Sequence, residues 1–178
     1  MTVKQIKLPL EQAQIDRLRA GDRVELTGTM YTARDAAHKR MAEALAAGLP
    51  LPIELHGETI YYVGPTPAKP GQVIGSAGPT TSGRMDLYTP MLLAKGLKGM
   101  IGKGKRNSQV KQGIVDHKAV YFAAIGGAAA LIARTIRQAE VVAYEDLGTE
   151  GIYRLKVERF PVIVINDTHG GDLYQNPV

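Results

Sequence analysis

Residues 161–165 read Pro-Val-Ile-Val-Ile, an apolar run with no polar alternation. A strand of this kind has no face to give to water, so its sheet must be covered on both sides. Around it, short strand-like stretches occur at Arg23–Gly28, Thr59–Val63, Gln72–Gly75, Gly99–Gly102, Lys118–Ala124, Val141–Ala143 and Tyr153–Val157. Helical spacing appears over Leu8–Leu18, from Thr32 to Ala47, near Met91–Lys95 and over Ala128–Gln138. Thr32 is expected to cap its helix with Asp35 reaching back three residues later. Thr89 is expected to cap the helix that Pro90 begins, and Ile125-Gly126-Gly127 to turn a strand into the Ala-rich helix. Strands and helices alternate, which makes the class α/β. No repeat or linker interrupts the chain, so residues 1–178 are expected to form one domain.

Composition narrows the chemistry. There is no cysteine, which removes disulfides and any thiolate-held zinc or iron–sulfur cluster within this chain. The four histidines (His38, His56, His117, His169) include no i, i+4 pair of metal-ligand spacing, so no metal site is expected. No apolar run reaches the roughly 18–20 residues of a membrane span. Met-Thr-Val-Lys-Gln lacks the apolar stretch of a signal peptide, and a cytoplasmic location without membrane contact is expected. Net charge is +5, but the positive residues are dispersed apart from Lys103-Gly104-Lys105-Arg106. With 6% aromatic residues and no tryptophan, stacking platforms are few and nucleic acid is not an expected partner. The glycines complete neither a P-loop nor a dinucleotide fingerprint, and the G-x-S-x-G elbow of a serine hydrolase is absent.

What remains is a concentration of small, rigid and cationic residues in three loops. These are Thr32-Ala33-Arg34-Asp35, Gly78-Pro79-Thr80-Thr81-Ser82-Gly83-Arg84 and Gly102-Lys103-Gly104-Lys105, each expected at the end of a strand. Arginine presents a planar fork that grips a carboxylate with two parallel bonds. Two arginines and a lysine, if brought together, suit a dicarboxylate.

The stretch Gly78–Asp86 (G-P-T-T-S-G-R-M-D), the Ile101-Gly102-Lys103-Gly104 segment, Val120–Ala129 and Asn166-Asp167-Thr168-His169-Gly170 resemble the C-terminal domain of the class I fumarate hydratases. In two-subunit forms of that family this domain is a separate β chain. The resemblance covers roughly residues 5 to 175. It implies a swivelling β/β/α domain, a mixed sheet flanked by helices. It also implies a partner α subunit that holds a four-iron four-sulfur cluster through cysteines, while this chain binds no cofactor itself. The implied reaction is the reversible hydration of fumarate to (S)-malate by a hydro-lyase, active only with its α subunit, the open iron acting as Lewis acid.

The family's substrate-binding arginines match Arg34 and Arg84, and its lysine matches Lys103, with Lys105 as the competing assignment. Thr80 matches a threonine proposed as the base that removes the carbon proton; its alternative role is to orient substrate. Thr81, Gly83 and Asp86 are expected just behind these residues, Asp86 pairing with an arginine or capping local amides. Gly78 and Gly83 are expected to permit close backbone approach. The alternatives to a fumarate hydratase β subunit are an L(+)-tartrate dehydratase β subunit and a non-catalytic dicarboxylate-binding module. A hetero-oligomer with the α subunit is expected, or a homodimer when isolated.

Overall fold

The computed structural model describes residues 2–125 and 129–176. Its strands are β1 (Lys4–Lys7), β2 (Arg23–Thr32), β3 (Thr59–Tyr61), β4 (Gly99–Gly102), β5 (Val120–Ala124), β6 (Ile136–Ala143) and β7 (Ile152–Asn166). The helices are α1 (Gln12–Ile15), α2 (Asp35–Ala46), α3 (Thr89–Ala94), α4 (Ser108–Asp116) and α5 (Ala129–Thr135).

The strands form a mixed seven-stranded sheet in the order β1-β2-β3-β4-β5-β7-β6. Strands β1 to β5 pair in parallel, whereas β7 runs antiparallel to β5 and β6. β7 also pairs antiparallel with β2, so β2, β3, β4, β5 and β7 close into a ring. Its apolar run Val162–Ile165 is buried or half-buried throughout, as a strand without a polar side requires.

Period-two alternation divides the buried residues into two cores. Ile60, Tyr62, Met100 and Tyr121 face α2, α3 and α4, meeting Met41, Leu92, Leu93, Val110 and Ile114. Tyr61, Val63, Ile101, Val120 and Phe122 face the other way, toward Leu26, Leu155, Phe160, Val162 and Ile132 of α5. The class is α/β.

Several expected elements differ. Thr32 ends β2 rather than capping a helix: its Oγ1 accepts the Tyr153 amide at 3.1 Å, and α2 begins at Asp35 with Arg34 as N-cap. Gln72–Gly75 is not a strand. The Gly75 amide donates to Thr66 O and the Ser76 amide to Thr66 Oγ1, closing that segment on itself. Leu8–Leu18 carries only the short α1, with β1 before it. α3 begins one residue early, at Thr89, whose hydroxyl donates to Met85 O. The Ala-rich helix stops at Thr135 and the chain passes straight into β6. Gly126 and Gly127, expected in the turn, and Ala128, expected to start the helix, lie outside the described residues.

Candidate functional site

The carboxyl ends of β2, β3 and β4 lie side by side, because these strands are parallel neighbours. In parallel α/β sheets, open or closed into a barrel, the carboxyl edge is where ligands bind. Arg34 follows β2, Gly64 follows β3 and Lys103 follows β4. Past the last β3–β4 pair, the segment Thr80–Ser82 is wedged between the two strand ends. The Thr80 amide donates to Tyr62 O at 2.8 Å, the Lys103 amide to Thr80 O at 3.2 Å, and the Ser82 amide to Lys103 O at 2.8 Å. Thr80 and Lys103 are therefore fixed relative to each other by backbone, although no regular strand leads into Gly78–Arg84.

Beneath this wedge lies a buried polar cluster. The Arg106 side chain has no exposed surface. Its Nε donates to Asp86 Oδ1 at 2.7 Å, Nη2 to Thr89 Oγ1 at 2.9 Å and Nη1 to the Tyr62 hydroxyl at 3.3 Å. Its guanidinium carbon sits 4.8 Å from the Tyr121 ring centroid and 5.3 Å from that of Tyr62. The second oxygen of Asp86 accepts the Asn107 amide at 2.7 Å, and Asn107 in turn caps α4 by accepting the Val110 amide. Asp86 thus both pairs with an arginine and binds a local amide. Arg106 belongs to this core and not to an exposed basic loop.

The Tyr121 hydroxyl donates to Gly104 O at 2.8 Å and lies 2.8 Å from Ser82 Oγ. Burial pushes its pKa well up, against the Ser82 hydrogen bond and the charge of Arg106. Ser82 fits only because residue 102 has no side chain, since a Cβ there would come 1.9 Å from Ser82 Oγ. Gly83 is under no such constraint, as an added Cβ would be 3.6 Å from Lys105 O, an ordinary contact. Thr81 is exposed and bridges Lys103 in parallel.

Above the wedge stand the two arginines. Arg84 Nε donates to Asp35 Oδ1 at 3.0 Å, and its side chain is 54% exposed. Arg34 Nε lies 3.9 Å from Asp35 Oδ2 and 3.9 Å from Glu150 Oε1. One carboxylate therefore stands between both guanidinium groups. Arg34 is laid over Gly64, where a Cβ would come 2.9 Å from its Cδ and 3.0 Å from Nη1. Glu150 arrives on the β6–β7 connection, which is held on α2 by Arg40, donating from Nη1 and Nη2 to the two oxygens of Asp146 at 2.8 Å each. Lys103 and Lys105 are both exposed, and Lys103 is the one locked to Thr80 by the backbone ladder.

Under Arg34, the fully buried His38 bonds through Nδ1 to Arg34 O at 2.8 Å. A carbonyl only accepts, so Nδ1 carries the proton and Nε2 is a bare acceptor. Burial pushes the His38 pKa down to about 4, the Arg34 carbonyl opposing and the Arg106 charge assisting. His38 is therefore neutral near pH 7. A cleft of about 690 Å³ opens elsewhere, between Thr66–Ser76 and α5; it includes none of Arg34, Thr80, Arg84 or Lys103.

Asp35, Glu150, Gly64 and Tyr62 were not singled out as site residues from sequence. Asp35 and Arg84 are 49 positions apart, and no local pattern links them. Among the described residues, no group of three or more His, Asp or Glu is placed to hold a metal, and no helix is long and apolar enough to cross a membrane.

Residues 1–177 match the family model described as "Fumarase C-terminus". The chain is 40% identical over 168 residues to "Fumarate hydratase class I, anaerobic" of Escherichia coli (strain K12), covering 93% of this chain and 31% of that protein. It is 37% identical to "Fumarate hydratase 2" of Leishmania major, covering 95% and 30%. Against the protein of Methanocaldococcus jannaschii named "Putative L(+)-tartrate dehydratase subunit beta" it is 36% identical, covering 93% and 88%. The chain thus spans about a third of the Escherichia coli and Leishmania proteins but nearly the whole of the Methanocaldococcus one. With the family model matched over almost its entire length, this chain belongs to the Fumarase C-terminus family.

Proposed function

We propose that this chain is the β subunit of a two-subunit class I fumarate hydratase and supplies the carboxylate-binding half of its active site. The observation that carries the reading is the placement of Asp35: a carboxylate already fits between Arg34 and Arg84, at the sheet edge where Thr80 and Lys103 are laddered together. A substrate carboxylate has the same charge, size and acceptor geometry as that of Asp35.

In this account Arg34 and Arg84 hold one end of the dicarboxylate by their guanidinium forks. Thr80 Oγ receives the proton lost from the adjacent carbon during malate dehydration. An unassisted threonine hydroxyl is too weak an acid to serve as a base, so the positive charge of Lys103 and Arg84 must favour its ionised form. Asp86 holds the loop from behind through the buried Arg106, and Thr81 ties it to Lys103 through the bridge between them.

The residues of this chain do not fit an iron–sulfur cluster, since there is no cysteine. That group falls to a cysteine-bearing α subunit, and the chemistry at the hydroxyl carbon with it. A cytoplasmic hetero-oligomer follows. The test is anaerobic co-production with the cognate cysteine-bearing subunit and assay on malate and L(+)-tartrate. Malate turnover above tartrate turnover is expected, and no turnover on either substrate refutes the proposal. Preference for tartrate selects the second reading, favoured by the length match to the Methanocaldococcus protein: a tartrate dehydratase β subunit.

A further inference from the structure

We infer that Asp35 is a positioning residue, the carboxylate that holds Arg34 and Arg84 side by side and aims their forks. The inference rests on the assignment of these arginines as the substrate clamp. Two guanidinium groups brought to one spot repel each other, and a shared anion between them removes that penalty. Asp35 Oδ1 accepts from Arg84 Nε at 3.0 Å. Asp35 Oδ2 and Arg34 Nε are both buried without a hydrogen-bond partner, and they face each other across 3.9 Å. Glu150 Oε1 stands 3.9 Å from the same Nε.

Arg84 is thus hydrogen-bonded at Nε, the inner edge of the guanidinium, and Arg34 turns its own Nε toward the same carboxylate at 3.9 Å. This leaves the terminal Nη1 and Nη2 pair of each fork to receive a ligand carboxylate end-on. Asp35 is the first residue of α2, which fixes its direction, and Arg34 is pressed against Gly64. A carboxylate at a helix start also favours the helix dipole whatever its neighbours are. That plain structural role would leave the guanidinium groups unchanged when the charge is removed, which makes the two roles separable.

The test compares wild type, Asp35→Asn, Asp35→Glu and Glu150→Gln by arginine Nε–Hε NMR on the chain itself, with Arg34→Lys and Arg84→Lys spectra for assignment. In Asp35→Asn the Hε signals of both Arg34 and Arg84 should shift, and that of Arg84, which loses a charge-assisted hydrogen bond, should exchange with water at least about tenfold faster. Glu150→Gln should move the Arg34 signal alone. In the complex with the cluster subunit, Asp35→Asn should raise KM for malate about tenfold with kcat within about threefold, the pattern of lost ground-state binding. Asp35→Glu should recover part of that affinity. An unmoved Arg34 or Arg84 signal in Asp35→Asn, or an unchanged KM, overturns the inference. The spectra need no turnover, so an inactive wild-type complex would sink the hydratase assignment while the positioning role is still decided.

Discussion

Replacing Asp86 with alanine isolates the cost of the buried cluster beneath the Thr80–Arg84 loop. Among the described residues, Asp86 supplies the one carboxylate paired with Arg106, whose side chain is wholly buried, and it also accepts the Asn107 amide at the start of α4. Removing one partner of a buried ion pair typically costs about 3–5 kcal/mol, because the remaining charge keeps its desolvation penalty. The orphaned amide adds to this, while Thr89, Tyr62 and the aromatic faces still solvate the guanidinium in part. A net loss of about 4 kcal/mol is a large fraction of a total near 5–15 kcal/mol. With an m-value of about 2.5 kcal/mol/M, the urea midpoint should fall by about 1.6 M. Equilibrium urea unfolding followed by circular dichroism measures it. Adding Arg106→Met removes the stranded charge, so the double variant should be more stable than Asp86→Ala alone. A midpoint shift below about 0.4 M, or a double variant that loses the sum of the two single losses, would refute the reasoning.

Arg84→Lys should keep the fold and lower kcat/KM on malate by roughly thirtyfold, about 2 kcal/mol, because lysine keeps the charge and loses the planar fork; wild-type rates would remove Arg84 from the clamp. Gly64→Ala places a methyl 2.9 Å from Arg34 Cδ, so Arg34 must move; KM on malate should rise while the thermal midpoint changes little, and an unaltered KM would mean Arg34 binds no substrate. His38 has its pKa lowered to about 4 from an ordinary 6.5, so the unfolded chain binds the proton more readily between those values. Stability should therefore fall as pH drops from about 6.5 to 4, by about 3 kcal/mol over the window, and a His38→Gln variant should flatten this part of a urea-unfolding pH series.

How much of this was legible in the sequence depended on how local the cause was. β4 appears with the boundaries expected, since its four residues lie between a glycine turn and the basic loop and are buried on both faces. Strand β1 was missed because only Ile6 of its four residues is buried. Helix α4 was missed because it shows only two buried residues, Val110 and Ile114, and contains Gly113, which a helix interior disfavours. The Asn107 cap and the i, i+4 spacing of those two residues were the available signals. Thr32 was misplaced because a β-branched hydroxyl residue suits both a strand end and a cap, and the deciding contact, the Tyr153 amide, lies 121 positions away. Arg34, Arg84 and Lys103 stood out as cations in loops expected at strand ends and Thr80 through the family resemblance, but the carboxylate joining the two arginines did not stand out as a site residue.

The same geometry explains how the proposed half-site can be stable by itself. Clustering cations at one sheet edge is unfavourable unless anions or a ligand offset it. Here Asp35 and Glu150 sit beside Arg34, and Asp35 reaches Arg84 as well. These pairs are partly exposed, where water weakens each ion pair to about 0–1 kcal/mol. An arrangement that loose lets the Nη ends of both forks turn onto a ligand carboxylate while Asp35 stays on the Nε side. By the same measure it cannot bind a dicarboxylate tightly while water surrounds the forks. In the proposed complex, strength comes from a second surface that excludes water over Arg84 and Lys103, since the same charges interact far more strongly once desolvated. The rigid part, the Asp86–Arg106 cluster, lies below the loop, and the adjustable part lies above it. This division suits the half-site proposed above, in which another polypeptide completes the pocket.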